Sequence, residues 1–169
     1  RSAKNDSAKT KAIELLTFLY DRRIGTGEKK RSSVLDILAK SLTALFAASP
    51  SMNANSQSRY RYIDWETRST LRPPQGGERI CVLNAKAFPP EGDDCDARLI
   101  CDAYAMGWKQ YICYGYKGQR FTGCGLSKES DGVRIDVYDS SGDYLASGID
   151  GLEIYVHGNA QDQLAQIIK

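Results

Sequence analysis

The sequence predicts an α+β chain in which N-terminal helices precede a parallel β-helix, a single-stranded solenoid. Three observations predict it. The segment "IDVYDSSGDYLASGI" (135–149) matches "IYVHGNAQDQLAQII" (154–168) at a constant offset of 19 residues, so that Ile135 meets Ile154, Val137 meets Val156 and Leu145 meets Leu164. One coil upstream, "ICYGYKGQRFTGCGL" (112–126) aligns at an offset of 23, with "SKES" after Leu126 as the insertion. There Ile112 falls on Ile135 and Phe121 on Tyr144. Finally, helical spacing is confined to segments before Gly107, after which short apolar runs are broken by glycines.

The first helix is read from Ile13, Leu16, Leu19 and Tyr20, with Gly25 and Gly27 as its stop. The second begins at Ser33, with Asp36 three residues on, and runs through Val34, Leu38, Leu42, Leu45 and Phe46 to Pro50. Residues 49–59, small and polar without periodicity, read as a linker. "RYRYIDWETRSTLRPPQGGER" mixes arginine with aromatics, a combination that can stack on nucleic-acid bases. Pro73-Pro74 and Gly76-Gly77 favour a packed, extended connector instead. "RICVLNAKAF" follows as a strand. Asp93 or Asp94 then caps a helix that presents Ala97, Ile100, Ala103 and Tyr104 on one face and ends at Gly107. The chain thus divides into a basic helical extension with its linker (1–75) and a repeat domain (76–169).

Within the repeats, alternation points Ile135, Val137, Ile154 and Val156 inward and turns Tyr155 and His157 outward. Gly142, Gly148, Gly151 and Gly158 suit corners where φ is positive or close stacking excludes a Cβ, and Asn159 tolerates the same conformation. Asp143 and Asp162 occupy equivalent positions. Recurrence at a corner fits repeated hydrogen bonding better than a catalytic carboxylate pair, because acid–base chemistry gives no reason for repetition.

Composition narrows the function classes. The longest apolar run is the five residues Ala44 to Ala48, far short of a membrane span, and no secretion signal is visible. A chain that opens on Arg1 reads as processed or trimmed. Residues 1–75 carry 14 Lys and Arg against 7 Asp and Glu, a net of +7, whereas 76–169 carry 9 against 14, a net of −5. The asymmetry admits an acidic partner for the front segment, a solvated basic arm being the commoner explanation, and nucleic acid is disfavoured as a partner. The five cysteines are odd in number and none has C-x-x-C spacing, which argues against a metal site and for reduced thiols in a cytoplasmic protein.

The phrases "GYKGQRFTGCGL" and "VRIDVYDSSGDYLASGIDGLEIYVHGNAQDQLAQIIK" resemble the GXGXG domain that ends the large subunit of glutamate synthase. They are most similar to its free-standing versions, and the C subunit of formylmethanofuran dehydrogenase carries the same domain type. The resemblance runs from about Asn84 to Lys169 and leaves 1–75 unmatched. It implies a right-handed β-helix without catalytic residues, which binds no cofactor and positions glutaminase-type and FMN synthase-type subunits. FMN and iron–sulfur clusters then belong to those partners. It assigns a structural or interface role to Gly118, Gln119, Arg120, Gly123, Gly125, Gly142, Asp143, Gly148, Gly151, Gly158, Asn159 and Asp162. The alternative it leaves is the equivalent subunit of a molybdenum or tungsten formylmethanofuran dehydrogenase-type enzyme. The third coil departs from the pattern, with Gln161 for Gly142 and Ile167 for Gly148, so its corner is expected to differ.

Three residues or phrases invite sharper readings. His157 could act as a base but has no partner evident in sequence, so it reads as structural or interfacial. "KGQRFTGCG" lacks the G-K-[ST] ending of a phosphate loop. Cys124, between two glycines, is the best candidate for a reactive thiol, with no neighbouring base or cation assured. The last coil stops without a cap, so further coils or a partner are expected to cover Ile154, Val156 and Ile168.

Overall fold

Five short runs whose side chains alternate between two environments determine the architecture. The computed structural model describes residues 2–22, 24–126 and 130–166. Its elements are helices α1 (Ser2–Asp21), α2 (Arg31–Ala47) and α3 (Asp96–Ala105), strands β1 (Tyr60–Asp64), β2 (Ile80–Asn84), β3 (Gln110–Tyr114), β4 (Arg134–Val137) and β5 (Glu153–Val156), and a 3-10 turn at Arg68–Thr70. The strands form one open sheet in the order β1-β2-β3-β4-β5, every neighbouring pair parallel.

One face carries Ile63, Cys81, Leu83, Tyr111, Cys113, Ile135 and Val137, packed with Ile100 and Ala103 of α3 and with Leu126, Leu145, Ala146 and Ile149 of the later turns. The opposite face carries Tyr60, Val82, Ile112, Tyr114 and Tyr138 against Ile13, Leu42 and Phe46 of the N-terminal helices. Both faces of a parallel sheet must be covered. Here the connections cover one face and the α1–α2 pair covers the other.

The predicted right-handed parallel β-helix is not the fold. Among the described residues the chain is a small α+β protein with a single open sheet and three helices. The physical reason lies between the strands. The β2–β3 connection contains α3, and the β3–β4 and β4–β5 connections contain turns in which alternate residues have positive φ (Phe121, Gly123 and Gly125, then Tyr144, Ala146 and Gly148). The segment after β5 repeats the pattern at Gln163 and Ala165. Left-handed residues cannot extend into a strand, so among the described residues no second sheet forms to close a solenoid. Two of the five strands also come from outside the repeats. β1 arises where a connector is predicted, and its outer edge is flanked by the 49–59 segment, through Tyr62 N–H to Pro50 O at 2.7 Å.

Local boundaries shift too. α1 starts at Ser2, well before Ile13; α2 starts at Arg31 rather than Ser33; and the N-cap of α3 is Cys95, not Asp93 or Asp94. The β4–β5 register matches the repeat, Ile135 beside Ile154 and Val137 beside Val156. The β3–β4 register is one residue away from the predicted alignment, because Tyr111 pairs with Ile135 and Ile112 pairs with Asp136. A slip of one flips every side chain, which is why Ile112 faces the helices.

β1 depends on a buried charge network. Arg61, 2% exposed, donates from Nε to Glu78 Oε1 at 2.6 Å and from its terminal nitrogen to Ser56 O at 2.6 Å. Arg72 grips both Glu78 oxygens at 2.7 and 2.9 Å and also reaches Met52 O. Three chain segments therefore meet at one carboxylate. Burial alone would raise the Glu78 carboxyl, but the Arg72, Gln75 and Arg61 donors outweigh it and hold it at about 2. Glu78→Ala leaves Arg61 buried without its counter-charge and should cost about 3–5 kcal/mol in urea denaturation at pH 7. A depressed carboxylate stabilises above its unfolded value and loses that contribution as pH falls from 4.5 toward about 2. The variant should lack this part of the acid-induced loss of stability.

Candidate functional site

The repeated turns place most of the sequence-predicted residues in one column beside the sheet. Phe121 N–H donates to Asp143 O at 3.1 Å, and Tyr144 N–H donates to Asp162 O at 3.2 Å, so the two equivalent aspartates serve the same backbone role. One step on, Ala146 N–H reaches Thr122 O at 2.9 Å and Ala165 N–H reaches Leu145 O at 2.8 Å. Phe121 and Tyr144 stack with centroids 5.1 Å apart and planes 13° apart. Arg120 lies over both rings, at 5.5 and 5.4 Å, and its guanidinium pairs with Glu91 at 3.0 Å and Asp143 at 3.4 Å. Gln119 is buried, and its amide donates to Ala85 O and Phe88 O at 2.9 and 3.0 Å, fixing the entry to the first turn.

The glycines divide by cause. Gly118, Gly123, Gly125, Gly148 and Gly151 have positive φ. Gly142 and Gly158 do not; a Cβ on Gly142 would lie 2.7 Å from Gln119 O and one on Gly158 would collide with Asp139 O. Asn159 contributes its carbonyl to Ser141 N–H at 3.1 Å. The third turn keeps the left-handed residues Gln163 and Ala165 despite the substitution at Gln161, whereas Ile167 and Ile168 lie outside the described residues. Ile154 and Val156 are half-buried, unlike their fully buried counterparts Ile135 and Val137.

The second constellation centres on His157. It is 9% exposed, not outward-facing, and both ring nitrogens meet carboxylates: Nδ1 to Asp21 Oδ2 at 2.8 Å and Nε2 to Asp136 Oδ1 at 3.1 Å. Its ring stacks on Tyr138 with centroids 4.5 Å apart. Arg134 holds both Asp136 oxygens, at 2.8 and 2.7 Å, and lies over the Tyr155 ring at 4.2 Å. Burial would lower the imidazole, but hydrogen bonds to Asp136 and Asp21 outweigh it and raise it above its ordinary value. Asp136, Arg134 and Tyr138 could have been found from the strand period and the repeat offset. Nothing in the sequence ties Asp21 to a residue 136 positions away.

The five cysteines are free thiols. Burial pushes Cys81 up to about 12 and raises Cys124, whose Sγ donates to Tyr144 O at 2.9 Å. Cys124 is therefore not an activated nucleophile. Among the described residues, no group of three or more His, Cys, Asp or Glu side chains is placed to hold a metal ion, and no helix is long and apolar enough to cross a membrane. Comparison with protein-family models, with curated proteins and with solved structures finds no match.

A buried acid, Asp96, joins α3 to the first turn. It is fully buried, and Oδ2 accepts from the Thr122 hydroxyl at 3.0 Å. Oδ1 and the nearby Tyr116 hydroxyl lack hydrogen bonds of normal geometry among the described residues. Burial raises the carboxyl to about 6, against the pull of Thr122 and the backbone N–H groups of Asp96 and Ala97. A carboxyl raised in the folded state stabilises most below its unfolded value of 3.8 and progressively less up to about 6. Asp96→Asn, which keeps the shape and the acceptor for Thr122, should therefore be more stable than the parent at pH 8 by about 2–3 kcal/mol. The gain should vanish near pH 4, as read by chemical denaturation at both pH values.

Proposed function

We propose that the chain is a non-catalytic scaffold domain of a glutamate-synthase-type assembly, where it positions glutaminase-type and FMN synthase-type partners. The observation that carries the reading is the turn column. Gly123 and Gly125, Tyr144, Ala146 and Gly148, and Gln163 and Ala165 take one left-handed role in successive turns. Those residues lie within the glycine and hydrophobic phrases that carry the resemblance to the GXGXG domain. The solenoid implied by that resemblance is set aside, and the reading depends on the turn phrase alone.

A column held by backbone hydrogen bonds presents a fixed surface rather than a reactive one. Its accessible features are the half-buried, stacked Phe121 and Tyr144 with the half-buried Arg120 above them, and the exposed Tyr155 and Leu164. Aromatic and arginine side chains held rigidly are the residue types that anchor protein interfaces. In this reading FMN and iron–sulfur clusters reside in the partners, and this chain contributes position.

Native affinity purification of the chain from its source extract, with mass spectrometry and cofactor analysis, tests the proposal. The expected result is co-elution with a flavin-containing subunit and a glutaminase-like subunit, reduced for Arg120→Ala. Co-elution with molybdenum or tungsten would replace the reading with the formylmethanofuran dehydrogenase-type alternative. Recovery of the chain alone would overturn both.

A further inference from the structure

The contact that spans the longest stretch of sequence in this site also closes the N-terminal helix onto the sheet. α1 is anchored at its start by Asp6, whose carboxylate accepts from the Ser58 hydroxyl at 2.8 Å and from Arg59 N–H at 2.6 Å, beside β1. Thr10 bonds the Tyr60 hydroxyl at 2.7 Å, and Thr17 bonds the Tyr138 hydroxyl at 2.8 Å. Asp21 then meets His157 beyond β5. Asp6 and Asp21 are about 22 Å apart along a helix, and four strand spacings come to about 19 Å. The helix therefore straps the whole sheet, leaving a cleft of 420 Å³ between Thr10, Glu14 and Thr17 on one side and Arg59, Gln110 and Arg134 on the other.

The two ends of this strap differ in kind. At the start, the donors to Asp6 are a hydroxyl and a backbone N–H, which keep their protons at any physiological pH. At the finish, both ring nitrogens of His157 face carboxylate oxygens, an arrangement that only the doubly protonated imidazolium satisfies. A neutral ring donates from one nitrogen and turns a lone pair on the other carboxylate. Asp136 is the contact that persists, because Arg134 holds both its oxygens in place. Asp21 is 42% exposed and can be solvated instead.

We propose that α1 is a proton-latched strap, in which charged His157 ties its C-terminal end to the sheet and loss of that proton releases the end. The groups on the ring are Asp21 of α1, Asp136 of β4 and Tyr138 just after it, with Arg134 of β4 behind Asp136. Tyr20 and Arg22 flank Asp21 in sequence, and the Arg22 guanidinium lies over the Phe18 ring. Asp139 follows β4, and Glu153 and Tyr155 share the face on β5. Of the α2 charges, Asp36 and Lys40 pair with each other at an exposed site, and Arg31 donates to the Arg22 carbonyl beside Asp21 at 3.3 Å. A histidine with a raised value contributes fully below the ordinary value of 6.5, and its contribution is lost as pH rises through the folded value. Release uncovers Tyr138 and the polar β4–β5 end of this face.

His157 is the only histidine in the sequence, so its ring resonances report on the latch without ambiguity. NMR titration of the full chain from pH 5.5 to 8.5, with amide hydrogen exchange corrected for intrinsic rates, tests the proposal. Protection of Thr17 to Asp21 should fall about threefold to tenfold above the His157 midpoint, while that of Lys9 to Ile13 stays within about twofold. Asp21→Asn, at a partly exposed site, should lower the midpoint by about half a unit or more and abolish the pH dependence of protection at the end of α1. An unchanged midpoint in Asp21→Asn, or equal protection of the end of α1 at both pH extremes, would overturn the latch.

Discussion

An all-parallel sheet whose strands neighbour one another in chain order must return over a face at every step. In this chain the connections pack on the sheet from the same side, Tyr138 immediately after β4 being turned to the other. Trp65 and Leu71 after β1, α3 after β2, and the turns after β3 and β4 all contribute to the core around Ile135 and Cys113. Those connections therefore leave the other face uncovered. The α1–α2 pair is the answer, and its placement explains the second, aromatic-rich core of Tyr60, Tyr114, Tyr138 and Phe46. Phe46 is the joint between the two, with Tyr114 at 5.3 Å and Tyr138 at 4.7 Å.

The turn column stores a local expense that only its neighbours can offset. An L residue in the left-handed region costs on the order of 1–2 kcal/mol, and Phe121, Tyr144, Ala146, Gln163 and Ala165 all sit there. Each is held by hydrogen bonds to the adjoining turn, not by its own sequence. This interdependence also explains why the glycines sort by cause. Where φ is positive, glycine relieves strain; at Gly142 and Gly158 it lets one backbone pass against another.

That distinction bears on what could be read in advance. The β4–β5 register was legible, because Ile135, Val137, Ile154 and Val156 alternate and the offset is constant. The helices were legible in kind. β1 was not, because "RYRYID" places an arginine where a buried strand residue is expected. Arg61 is buried only because Glu78, 17 residues on, neutralises it. The Ile112 alignment failed by one residue since the apolar residues of β3, unlike those of β4, lie on both faces, so alternation carries no phase. The solenoid failed for a related reason: repeated glycine corners announce stacked turns but not whether the arc between them is a second strand. In the candidate site the column glycines and Gln119-Arg120 were visible as a phrase. The partners of His157 were not, since Asp21 belongs to a helix whose docking direction no local pattern encodes.

The charge asymmetry of the chain does not drive that docking. The front segment is net +7, yet the contacts that fasten α1 at its two ends are made by its acids, Asp6 and Asp21. Among the described residues, none of the Lys or Arg side chains of α1 and α2 forms an ion pair with the sheet; Lys9 bonds the Ser49 hydroxyl and lies over the Tyr60 ring, and Lys40 pairs within α2. Long-range attraction between a basic arm and an acidic body would be screened beyond about 8–10 Å at physiological ionic strength. Hydrogen-bonded contacts at 2.6–2.8 Å are much less exposed to that screening. The strap is therefore set by proton occupancy at one ring rather than by salt, and Lys11 of α1 and Arg31 of α2 remain exposed to solvent.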